Sequence, residues 1–174
     1  MISIVSSADL IWSSAPFGPA AQIPGTDVAP LTWSESYAVG HKVLDAEHRH
    51  LVELINDVSD AVQSKASPEQ IASLLRVLRD VAVEHIRQEN SVLWELKSGN
   101  YEPLKARPQT PHFLRAMADA AFDEHMAEHA TLMESFDAIG SAPITTLCEA
   151  LRVWFLDHAV KHDARLKAIF QAAG

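Results

Sequence analysis

Nine of the 174 residues are histidine, and several stand at helical spacing with an acidic or a second imidazole neighbour. His85 and Glu89 are four residues apart, as are His125 and His129. Side chains at that spacing share one helix face about one turn apart and can converge on a single ligand. His48 stands alone between Leu44 and Leu51, and His158 follows Trp154 by four residues. One buried imidazole satisfied by a hydrogen bond would be ordinary. Several of them with a carboxylate in one apolar core would each need a partner, and each would cost about 1–3 kcal/mol if left unpaired. A metal ion is the partner all of them can share. Imidazole suits zinc, copper, iron or nickel, and a mixture with carboxylate suits iron. Structural zinc normally draws on cysteines, and Cys148 is the only one in the chain. Five imidazoles exceed one tetrahedral site, so two metals fit better.

After His158 the spacing leaves a choice open. His162 at i+4 lies about 40° round an α-helix and Asp163 at i+5 about 140° round. Geometry favours His162. Charge favours Asp163, because a second carboxylate offsets a dinuclear cation better than a further neutral ring.

The elements that must position these residues are helices. An apolar seam of Leu44, Leu51, Ile55, Val58 and Val62, completed by position 48, predicts a helix from about His41 to Ser64. Ser67, Pro68 and Gln70 form a capping-box start for a second, whose seam runs through Ile71, Leu74, Leu78, Val81, Val92 and Leu96 to Ser98-Gly99-Asn100. His85 and Glu89 interrupt that seam. Thr110-Pro111 repeats the cap-then-proline signal for a third helix, which carries Phe122, His125, His129, Leu132 and Phe136 and ends near Ile139-Gly140. The fourth runs from about Pro143 to Ala172 on Ile144, Leu147, Leu151, Trp154 and His158. Each helix thus points at least one imidazole at the core. No period-two alternation competes, so the fold class is all-α: an up-down-up-down four-helix bundle with an irregular N-terminal arm. Residues 1–32, with Pro16, Pro19, Pro24 and Pro30, are the arm, and residues 33–174 the four-helix domain. The connection 98–111, with Pro103, Pro108, Pro111, Lys105 and Arg107, is longer than a bundle needs.

Composition narrows the partners. The chain is 48% apolar and 21% charged, the balance of a folded globular domain, and its formal net charge is −9. An acidic surface argues against nucleic acid and anionic membranes. No apolar run approaches the ~20 residues of a membrane span. The start, MISIVSSADLIW, lacks a basic segment and carries Asp9, a poor secretory signal. With a single cysteine, the expected location is cytoplasmic.

A lone His on the first helix, His-x3-Glu on the second, His-x3-His on the third and Trp-x3-His-x4-Asp on the fourth together resemble the hemerythrins, in particular their bacterial members. The segment LTWSESYAVGHKVLDAEHRHLVELIND, with Trp33, Asp45 and His48, is similar to the opening of those proteins. The resemblance spans about residues 31–170. It implies a di-iron core in which His125, His129 and His158 bind one iron, His48 and His85 the other, and Glu89 and Asp163 bridge them, leaving His162 as a neighbour. An oxo or hydroxo bridge would then leave one coordination position open, on the iron of His48 and His85, where dioxygen would bind reversibly. Oxygen-activating di-iron bundles use carboxylate-rich sets with Glu-x-x-His motifs. Here the only such pair, Glu47–His50, leaves the core face, and five neutral imidazoles favour Fe(II). Trp154, Phe155, Ile86 and Leu132 are the expected apolar lining. Position 166, a tyrosine in many members, is leucine. His41, His50, His112 and His162 are expected at the surface or beside the ligands, and the 98–121 segment, with Tyr101 and Phe113, is expected to be a solvated loop leading into the third helix. The function expected is oxygen storage, delivery or sensing, ahead of a di-iron enzyme acting on peroxide or a small substrate, and of a signalling module.

Overall fold

The computed structural model describes residues 28–101 and 112–173. A 3-10 turn at Glu35–Tyr37 precedes α1, Lys42–Gln63; α2 is Pro68–Ser98 and α3 is His112–Ile139. The fourth rod is composite: α4, Ile144–Leu156, passes through a π turn at Asp157–His162 and a 3-10 turn at Asp163–Arg165 into α5, Leu166–Ala173. No strand occurs among the described residues. The proline-rich arm as far as Asp27, the connection 102–111 and the side chains of His112 and Phe113 lie outside the described residues. The expected solvated loop over 98–121 is corrected at both ends: the chain is helical from His112, and Tyr101 is buried in the apolar core.

Local signals account for the helix ends. His41 caps α1, its Nδ1 accepting from the Leu44 N–H at 3.4 Å. At the start of α2 the Ser67 hydroxyl accepts from the Gln70 N–H and the Gln70 side chain accepts from the Ser67 N–H. This reciprocal cap satisfies two otherwise orphaned donors. Gly99 ends α2 in the left-handed region at φ 75°, a conformation that favours glycine.

The apolar seams fold into two separate clusters. One gathers Leu51, Ile55, Val58, Leu78, Ala82, Phe136, Leu151 and Phe155. The other gathers Leu44, Val92, Leu93, Leu96, Leu166, Ile169 and Phe170, with Phe122 against it. Along α1 the chain passes from the second cluster (Leu44) to the first (Leu51); along α2 it returns, from Ala82 to Val92. Helix α3 runs from Phe122 to Phe136, and the fourth rod returns from Phe155 to Leu166. The direction alternates over the four rods, which is the up-down-up-down bundle, with α1 on α2, α2 on α3, α3 on α4 and α4 back on α1.

Helix four departs from the expected single α-helix. An i→i+5 turn is wider than an α turn and is frequent at functional sites. Here it swings Asp163 round towards His158, and the tighter turn that follows brings Leu166, Ile169 and Phe170 back onto the core. No described helix is long and apolar enough to cross a membrane.

Candidate metal centre

Between the two apolar clusters lies one polar layer. His48, His85, Glu89, His125, His129, His158 and Asp163 are all buried, and both carboxylates have no exposed surface. His48 Nε2 is 3.2 Å from His85 Nε2. Asp163 Oδ2 is 3.1 Å from both His48 Nε2 and His158 Nε2, and its Oδ1 is 3.7 Å from His125 Nε2. Glu89 Oε2 lies 3.0 Å from His125 Nε2, 3.1 Å from His129 Nε2 and 3.9 Å from His85 Nε2. Each carboxylate therefore faces imidazoles from both sides of the layer. Two sets, His85 with Glu89, His158 and Asp163, and Glu89 with His125, His129 and Asp163, each hold their ligand atoms within 4.8 Å of one another. The ring of His158, a member of the first set, also lies close to the second, 5.3 Å from that of His129 against 6.0 Å from that of His85.

The layer suits a cation better than it suits itself. Glu89 Oε1, Asp163 Oδ1 and His158 Nε2 are buried with no aligned hydrogen-bond partner, a state that is rare in folded proteins and that marks a strained, catalytic or ion-binding group. Burial pushes the His158 imidazole down to about 4, so it is neutral and its lone pair is available. Burial also opposes charge on His48, but the close Asp163 carboxylate raises its pKa above the usual imidazole value. Burial opposes charge on His125 in the same way, and Glu89 raises it. Complete burial would raise the Glu89 carboxyl, yet the imidazoles of His125 and His129 hold it well below the usual carboxylate range. Without a cation these groups share protons, and a metal ion replaces those protons directly.

Outer partners orient the rings, and most of them carried no readable spacing signal. His48 Nδ1 donates to the Tyr37 carbonyl at 2.6 Å. The backbone just beyond that carbonyl is fixed by Asp45, whose Oδ1 accepts from the N–H groups of Val39 at 2.7 Å and Gly40 at 3.3 Å. His85 Nδ1 donates to Glu47 Oε2 at 3.0 Å and His129 Nδ1 to Asn90 Oδ1 at 3.0 Å. Each such bond fixes the tautomer that turns Nε2 inward. Glu128 stands 3.6 Å from His125 Nδ1. Of the expected lining, Trp154 and Phe155 are buried, while Ile86 and Leu132 are half-buried. The Trp154 indole donates to the Leu132 carbonyl at 3.0 Å.

The two candidates on the fourth helix are placed differently. Asp163 is inside the layer; His162 is partly exposed and lies 2.7 Å from Glu128 Oε1 through its Nδ1. His50 is exposed beside Glu53. Glu47, set aside with His50, instead turns to His85.

Residues 39–170 match the family model of the hemerythrin HHE cation-binding domain. The chain belongs to the hemerythrin family. Among hemerythrins it is 24% identical to the myohemerythrin of Theromyzon tessulatum over 138 residues, which covers 79% of this chain and 92% of that protein. It is 32% identical to the bacteriohemerythrin of Pseudomonas aeruginosa over 66 residues, covering 38% of this chain and 42% of that protein. No solved structure matches. The cation binding of the family's description accords with a buried layer whose seven side chains offer only imidazole and carboxylate.

Proposed function

We propose that this hemerythrin binds dioxygen reversibly at a non-haem di-iron centre in the cytoplasm. In this reading His125, His129 and His158 hold one iron, His48 and His85 the other, and Glu89 and Asp163 are shared. The observation that carries it is the position of the two carboxylates: Glu89 reaches His85 on one side and His125 and His129 on the other, and Asp163 reaches both His48 and His158. When bound, the iron pair would supply one electron from each metal, with dioxygen expected on the side of His48 and His85.

The chain's own part is to bind, orient and keep dry. Five neutral imidazoles with two carboxylates favour Fe(II) over the high oxidation states that anionic ligands stabilise. On the His48 side the Phe155 ring stands edge-on to the imidazole at 6.0 Å, Tyr37 stands edge-on to Phe155 at 5.5 Å, and Trp33 to Tyr37 at 5.7 Å. The Arg49 guanidinium covers Trp33 at 4.0 Å. This stack shields His48 from water, which slows irreversible oxidation.

A second reading, a di-iron enzyme, has one observation in its favour. A cleft of about 410 Å³ between α3 and the fourth rod is lined by Leu132, Ser135, Asp157, His158 and His162 and reaches an imidazole of the layer. Under the assignment above it opens at His158, on the side away from the metal of His48 and His85. The test is made on anaerobically iron-loaded protein, by metal analysis and then visible spectra through one cycle of oxygenation and deoxygenation. Two irons per chain, with a band that vanishes when oxygen is removed, are expected. Two irons that oxidise at once and then consume peroxide would move the function to the enzyme.

A further inference from the structure

The outer nitrogens of the ligand rings are not equally served. His48 leans on the Tyr37 carbonyl and His129 on the Asn90 amide, both neutral. His125 has Glu128 at 3.6 Å, but that carboxylate also faces His162 at 2.7 Å and Arg165 at 3.4 Å, so its charge is divided. His85 alone has a close carboxylate of its own, Glu47 Oε2 at 3.0 Å from Nδ1. Among the described residues no lysine or arginine pairs with Glu47, and at 24% side-chain exposure water screens it only in part.

From this asymmetry we infer that Glu47 is a positioning residue that sets the electron-donor strength of His85, and so makes the metal held by His48 and His85 the more readily oxidised of the two. The inference rests on the di-iron reading. A ring N–H that donates to a carboxylate shifts electron density towards the other nitrogen, raising its basicity as a ligand, and fixes the ring's tautomer and orientation. A charge-assisted bond does this more strongly than a neutral one. The effect falls on the metal whose open position would meet dioxygen, where ease of oxidation matters most. Glu47 touches no metal position itself; it stands one residue before His48 on α1 and reaches across to α2, so a single helix turn supplies both a ligand and the partner of a ligand on its neighbour.

The test compares the full chain with Glu47→Gln, which keeps an acceptor oxygen and removes the charge, and with Glu47→Ala, which removes both. Asn90→Ala, at a neutral partner, serves as the control. Three quantities are read: irons per chain, Fe(II) affinity by anaerobic competition with a chelator, and the midpoint potential of the loaded protein. The expected result is two irons in the parent and in Glu47→Gln, with Fe(II) held more weakly in the variant, towards the lower end of the about 10- to 100-fold range for such partners. Its potential should also shift positive by more than that of Asn90→Ala. Glu47→Ala should lose more affinity; should it fail to fold, Glu47→Gln alone decides. Two irons in both proteins with unchanged affinity and potential would overturn the role of Glu47 while leaving the di-iron centre standing. Fewer than two irons in the parent would overturn the di-iron reading and the inference together.

Discussion

Asp163 touches His48 and His158 at 3.1 Å with no exposed surface, while His162, one residue earlier, turns outward to Glu128. The consequence is a contrast between adjacent residues. Asp163→Asn removes an anionic oxygen shared by the two sides of the layer, and the expected outcome is loss of at least one iron per chain by metal analysis. His162→Gln should keep both irons. The reverse pattern would return the ligand role to His162. Spacing by itself favoured His162, since an ideal α-helix places i+4 about 40° and i+5 about 140° round from His158, and only a wider turn brings i+5 inward. The other five imidazoles and Glu89 were legible in the chain, since each interrupts an apolar seam at a step of three or four. Glu47, Asn90 and the Tyr37 carbonyl were not. They meet their imidazoles across gaps of 38, 39 and 11 residues, and the outer edge of a seam has no periodic signature.

At the scale of elements, the helices hold one another through seams inside and a few ion pairs outside. Arg79 on α2 clasps Asp137 on α3 through two bonds, Nε to Oδ1 at 2.8 Å and a terminal nitrogen to Oδ2 at 3.2 Å. The hydrogen bond from Arg79 lowers the Asp137 carboxyl below its usual value of 3.8. A carboxyl whose folded pKa is depressed stabilises the fold above its unfolded value, and loses that contribution as pH falls through the folded one. Both side chains are substantially exposed, so the pair is worth about 0.2–1 kcal/mol. Asp137→Asn should therefore lower the urea midpoint slightly at pH 7, and the gap from the parent should close below pH 3.8 and narrow in high salt. The start of α2 and its end at Gly99 were readable, because caps are local chemistry. The break in the fourth rod was not: nothing in Asp157–His162 forbids an α-helix, and the wider turn is selected by the contacts Asp163 makes with α1 and α3.

The molecule as a whole is two apolar clusters parted by a layer of five imidazoles and two carboxylates. A cation bound by the folded chain and not by the unfolded one stabilises by mass action, about 2.7 kcal/mol when free metal stands a hundredfold above its dissociation constant. For a chain of this size each kcal/mol moves the melting midpoint by about 2–4 °C. Calorimetry of iron-loaded protein, before and after anaerobic chelation, should show a fall of at least about 5 °C on metal removal; an unchanged midpoint would mean that the layer is held by its own hydrogen bonds. The sequence by itself determined the four helices, their alternation and the presence of a His-rich layer. Helical period, capping and the cost of burying unpaired polar groups all act within a few residues or on residue type alone. Only the tertiary structure decided that Asp163 rather than His162 enters the layer, that each carboxylate faces imidazoles on both sides, and that His85 is backed by a carboxylate where His48 and His129 are backed by neutral groups. Those outcomes depend on distances of about 3 Å between different helices, which exist only once the two clusters have closed around the layer.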